Sequence, residues 1–165
     1  MGLINFKYAK LKIQDGTATP NVFNVLFGEG NFSYTETKNR EYIKDRGNVA
    51  TGYVRDGEDE PVSVTIEGIW TEMRAASGGP VTLEEALKKV GAASAWASSA
   101  TDPCEPYAVD LVFEYGSECS GTLGHRLTFD DFRYETLDYD GKANTVKISG
   151  KCKVAAPTII RTVVS

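Results

Sequence analysis

Apolar side chains recur at every second position in several separate stretches of this chain, the signature of half-buried β-strands. The clearest run covers residues 62–70, where Val62, Val64, Ile66, Gly68 and Trp70 point one way and Ser63, Thr65, Glu67 and Ile69 the other. In a second run Val146, Ile148, Gly150, Cys152 and Val154 face in, while Lys147, Ser149, Lys151 and Lys153 face out. Val109, Leu111, Phe113 and Tyr115 predict another strand. From Ile4 to Ile13 the alternation changes parity near Tyr8-Ala9, which predicts a bulge or a change of partners. A similar change at Asp130-Asp131 separates Leu127 and Phe129 from Phe132, Tyr134 and Thr136. Residues 22–27 form a further short strand, Asp140–Asn144 a hairpin loop, and Thr158–Ser165 a terminal strand beyond Pro157.

One stretch follows the helical period instead. Leu83, Ala86, Leu87 and Val90 fall on one face, and Thr82 with Glu85 makes a capping box. Glu84 and Glu85 near the start and Lys88 and Lys89 near the end suit the helix dipole, with Gly91 placed to stop the helix. Residues 92–101 read as a loop anchored by Trp96. About seven strands joined by turns, one helix and no βαβ alternation predict a mainly β fold. The expectation is one domain over residues 1–165: an antiparallel β-sandwich or barrel with one flanking α-helix.

Residues 29–61 do not fit that economy. They mix Phe32, Tyr34, Tyr42, Ile43, Val49 and Tyr53 with many charges, then pass through the acidic run Asp56–Glu60 before the core strand. A loop this long is not needed to close a small domain. Its β-favouring residues predict an extended hairpin with two exposed faces, the acidic run forming a turn, and such a hairpin invites pairing with another molecule.

Composition narrows the partners. With 165 residues there is chain for one core, and a net charge of −5 argues against gripping nucleic acid through its phosphates. No apolar run is long enough to span a bilayer, and the first residues lack a signal-peptide pattern, so no membrane partner is expected. The three cysteines, Cys104, Cys119 and Cys152, are expected to be reduced; Cys104 and Cys119 flank one strand, so a contact between them stays open.

Candidate chemistry is sparse. His125 is the only histidine, and no nucleophile-elbow pattern or paired metal-ligand spacing accompanies it. Asp56–Glu60 and Asp138-x-Asp140 could each attract a cation, but neither has the calcium-loop pattern, and turn geometry or solvation explains them. The chain is therefore read as non-enzymatic, with no cofactor and no metal.

The pattern G-x-V-x-x-G-Y-V-R-D-G-E-D-E-P-V-x-V-T-I-E-G at Gly47–Gly68, the helix Thr82–Val90 and the terminal stretch Lys153-Val154-Ala155-Ala156-Pro157-Thr158 together resemble the tail tube proteins of tailed bacteriophages. That resemblance implies hexameric rings stacked into a hollow tube in the virion tail, assembled in the host cytoplasm. Sheath, terminator, baseplate and tape-measure proteins would be partners, and DNA would pass through without specific binding. It also implies that the long hairpin reaches an adjacent ring, which points to Phe32, Tyr34, Tyr42, Val49, Tyr53 and Arg55 as subunit-interface residues. An Hcp-like secretion tube is the alternative of the same kind. Other classes are a monomeric carbohydrate-binding sandwich using Tyr34, Tyr42, Tyr53 or Trp96, and a small hydrolase centred on His125.

Overall fold

The computed structural model describes residues 9–25, 32–69, 80–115 and 123–163, and within them every strand pairing is antiparallel. The expectations for residues 4–8, 26–27, 29–31 and 164–165, for Trp70 and Cys119, and for the Tyr115 side chain, fall outside the described residues. The strands are β1 (Lys10–Gln14), β2 (Val22–Val25), β3 (Phe32–Thr35), β4 (Lys38–Asp45), β5 (Asn48–Asp59), β6 (Ser63–Ile69), β7 (Val109–Tyr115), β8 (Leu123–Asp140), β9 (Thr145–Cys152) and β10 (Thr158–Val163). The main sheet runs β2-β1-β7-β8-β9-β6-β3, with β10 on β8, while β4 and β5 form a separate two-stranded ribbon.

β8 joins the two halves of the main sheet. Its first part pairs with β7 and β10, and from Phe132 onward it pairs with β9. Leu111 opposes Phe129 whereas Val109 opposes Phe132, so one extra residue sits in β8 between them, and Asp131 adopts φ 55° there. That bulge is the predicted parity change, and the local twist it adds lets the sheet fold over. Phe32 of β3 stacks on Phe113 of β7, centroids 4.6 Å apart, although these strands share no ladder; the two halves therefore face one another as a sandwich.

The inward sets form the core. Leu11, Ile13, Val62, Val64, Ile66, Val109, Leu111, Phe113, Phe129, Phe132, Val146, Ile148 and Cys152 are buried together. The alternation read for residues 62–68 and 146–152 holds position by position. Gly150 has a steric cause, since a methyl group there would overlap the Arg133 carbonyl and the Phe132 ring. A second register shift between Tyr134 and Thr136 turns Leu137 toward the core and Thr136 away from it, which corrects the expected placement of Thr136 beside Phe132; Tyr134 keeps the parity of Phe132 and is 37% exposed.

The helix α1 (Leu83–Lys88) begins at the predicted capping box: the Glu85 amide donates to the Thr82 hydroxyl and the Thr82 amide to the Glu85 carboxylate. Ala86 and Leu87 are buried with Trp96, and the Tyr107 hydroxyl donates to the Ala86 carbonyl at 3.0 Å. The helix ends earlier than expected, because Lys89 already turns left-handed (φ 56°), and Val90 is exposed instead of facing inward. Nearby, the buried Asp15 carboxylate accepts from the Asn21 side chain, the Thr17 hydroxyl and the backbone amides of Asn21 and Ala97, which ties the β1–β2 turn to the Trp96 segment. Burial pushes its pKa up, but these bonds outweigh that and hold it below the usual value.

Candidate subunit interface

Of the residues expected at an interface, the hairpin holds four. The ribbon starts at Lys38, not at residue 29, because Phe32–Thr35 already belongs to the main sheet as the partner of β6. Phe32 packs between Phe113 and Phe129, and Tyr34 meets the Phe129 ring edge-on at 5.0 Å, so both are engaged within their own subunit. Tyr42, Val49, Tyr53 and Arg55 lie on the ribbon and are exposed.

The ribbon reverses at Arg46-Gly47, whose φ values of 49° and 80° are the pair of positive angles that a two-residue type I′ turn needs. Asp45 and Asn48 pair across it, and the Asn48 side chain accepts from the Ala50 amide at 2.9 Å. The acidic run is not a turn. Asp56 and Asp59 lie in β5 opposite Arg40 and Lys38, and Lys38 approaches both carboxylates, at 3.8 and 3.4 Å. Asn39 donates to the Glu58 carbonyl and to the Glu60 carboxylate, pinning a one-residue bulge there.

Cross-strand partners put like with like. Glu41 faces Arg55, Ile43 faces Tyr53, and Tyr42 faces Val54. Arg55 donates to Glu41, which lowers the Glu41 pKa and raises that of Arg55 through the hydrogen bond and then through charge. Since neighbours in a strand point to opposite sides, Ile43 and Tyr53 share one face with the Glu41–Arg55 pair, while Tyr42 and Val54 share the other with Arg40 and Asp56. Both faces are open: Tyr42 is 58% exposed, Tyr53 67%, Val54 47% and Ile43 44%. A lone two-stranded hairpin is marginally stable in water, and exposed ion pairs add little. Ile43 and Val54 were not expected as interface residues; the turn pairs Asp45 with Asn48, but a register shift between Asp45 and Ile43 puts Ile43 opposite Tyr53, and no local signal in the sequence marks that shift.

The other candidates sort out by their contacts. Asp140 caps the β8–β9 turn, accepting from the Lys142 and Ala143 amides, as turn geometry predicts. Trp96 is 6% exposed and part of the core. Among the described residues no group of three His, Cys, Asp or Glu side chains is placed to share a metal ion, and no helix is long and apolar enough to cross a membrane. His125 sits in β8 opposite Tyr115 and Arg161.

The fold has a solved counterpart. The chain superposes on a chain in the six-fold symmetrised baseplate of the anti-feeding prophage with a TM-score of 0.52, covering 97% of each, at 12% sequence identity. At that identity the likeness is one of fold. No protein-family model and no curated protein matches this sequence.

Proposed function

We propose that the chain is a structural subunit of a phage-type tail, assembling with copies of itself into stacked hexameric rings that form the tail tube. The observation that carries this reading is the β4–β5 ribbon, which exposes apolar pairs on two faces and pairs with no other strand among the described residues. A surface of that kind is stabilised when another molecule buries it. The shared fold with a chain from the six-fold symmetrised anti-feeding prophage baseplate supports the same reading, over nearly the whole of both chains. Within the tail, neighbouring partners would be sheath, terminator, baseplate and tape-measure proteins, and the net charge of −5 suits a wall past which DNA slides without binding.

The work assigned to the chain is contact, not catalysis. The carbohydrate reading loses support because Trp96 is buried and Tyr42 and Tyr53 lie on opposite faces of the ribbon, where they form no common stacking platform. Size-exclusion chromatography and electron microscopy of the purified chain test the proposal. Rings and tubes are expected, and a protein that stays monomeric at high concentration overturns it.

A further inference from the structure

The sequence contains three Asp-Gly pairs, Asp15-Gly16, Asp56-Gly57 and Asp140-Gly141. In each the glycine amide nitrogen can attack the preceding side-chain carboxyl carbon, because no side chain shields that nitrogen. As dipeptides the three are equivalent, so any difference between them comes from the fold.

Asp15-Gly16 is closed to this reaction. The Gly16 amide donates to the Ala97 carbonyl at 3.0 Å, and the Ser98 carbonyl fills the space beside its α-carbon. The Asp15 carboxylate is buried and fixed by donors from Thr17, Asn21 and Ala97. Asp56-Gly57 lies within β5, where Asp56 opposes Arg40 and Gly57 packs on Asn39. Its carboxylate is drawn to the other strand by Lys38 and Arg40, at 3.8 and 3.9 Å. Swinging it onto its own main chain breaks those pairs and the local ladder. Asp140 is the last residue of β8, and Gly141 is exposed in the turn with nothing within 4 Å of the place a side chain would take. The same Asp140 Oδ1 accepts from the Lys142 amide at 3.0 Å and the Ala143 amide at 3.2 Å. Two amides aimed at that oxygen stabilise the negative charge that develops on it when the carboxyl carbon is attacked.

We propose that Asp140-Gly141 is a site of spontaneous aspartate isomerisation, the first of the three to react in the folded chain. The Gly141 nitrogen bonds to Cγ of Asp140 and gives up its proton, and the carboxyl oxygen leaves as water. Water then adds to the main-chain carbonyl carbon of the resulting succinimide, and the bond from that carbon to nitrogen breaks. The chain now runs through Cβ and Cγ, with the α-carboxylate free and no atom gained or lost. One methylene is thereby added to the main chain at the β8–β9 turn, beside the Asp140–Thr145 pair. The reaction belongs to the single chain and is independent of the assembly proposed above.

Purified full-length protein is aged in warm neutral buffer, folded and in concentrated denaturant. Isoaspartate is read in each Asp-Gly peptide by chromatography and by resistance to an Asp-specific endoprotease. In the folded protein, residue 140 should exceed residue 15 by at least about tenfold, since a segment that must open first reacts only in its open fraction, with residue 56 between them. In denaturant the three should level. Gly141→Ala, which fits the open space, should keep the wild-type melting temperature and lose the signal at 140. No isoaspartate at 140 in the folded protein, or more at 15 or 56 than at 140, overturns the proposal. An unequal order that persists unchanged in denaturant overturns the role given to the fold.

Discussion

β6 and β5 are consecutive strands with opposite fates. In β6, Val64 and Ile66 are sealed against Phe129 and its neighbours, with β3 and β9 on either side. In β5, Tyr53 and Val54 have one ladder partner and no layer above or below. Both segments are β-favouring, but Val64 and Ile66 of β6 share one parity and are buried, with only Ile69 at the strand end on the other, while the apolar residues of the ribbon are divided between both faces and exposed. A single inward parity lets one chain complete a sandwich. A double parity has no inside among the described residues, and in the proposed assembly its burial would come from another molecule.

That contrast can be broken by mutation. Phe129→Ala should cost about 3–5 kcal/mol from lost burial and the residual cavity, read by denaturant unfolding. Gly150→Val should cost more than ~2 kcal/mol, because the Arg133 carbonyl and Phe132 ring occupy the space a side chain needs. Asp15→Asn should cost roughly 1–3 kcal/mol at neutral pH, since an amide cannot accept from all the donors around it. The Asp15 pKa is lowered in the fold, so its stabilisation is full above the unfolded value near 3.8 and is lost as pH falls through the folded value; the gap to Asp15→Asn should close in acid.

Asp110→Asn should act in the opposite sense and more weakly. Burial, opposed by the Asp131 amide and reinforced by the charges of Asp130 and Asp131, raises the Asp110 pKa. The fold therefore penalises its charged form above the folded pKa, and the penalty fades as pH falls toward the unfolded value. The variant should melt higher than wild type at neutral pH, with the advantage shrinking in acid; a lower melting temperature at neutral pH would refute this. Smallest of all, Tyr53→Ser should change stability by under about 0.5 kcal/mol, because the side chain leaves no core contact behind. A larger loss would mean that the ribbon supports the sandwich and that the contrast drawn here is wrong.

The same contrast explains what could be read from the sequence. The alternation of residues 62–68 and 146–152, the Thr82–Glu85 capping box and the bulge at Asp131 were all legible, because each is a local pattern that the burial of one face enforces. The second shift in β8 was not, because nothing near Glu135 marks it and the bend that turns Leu137 inward is imposed by β9. Phe32 and Tyr34 looked like hairpin residues since sequence alone does not say that β3 docks on β6. The acidic run looked like a turn because its repulsion is evident in the sequence, while the relief from Lys38 and Arg40 lies about twenty residues away.

Strand order also carries a consequence for synthesis. The ribbon is local: its two strands are joined by two residues, and hairpins of this kind close in about 1–10 μs. β1 must wait for β7, whose Asp110 pairs with Gln14, and β6 must wait for β9. At roughly 5–20 residues per second, those partners leave the ribosome seconds later. Both strands of the ribbon are thus synthesised well before the body they belong to, and, being marginally stable alone, the ribbon opens and closes repeatedly until that body forms.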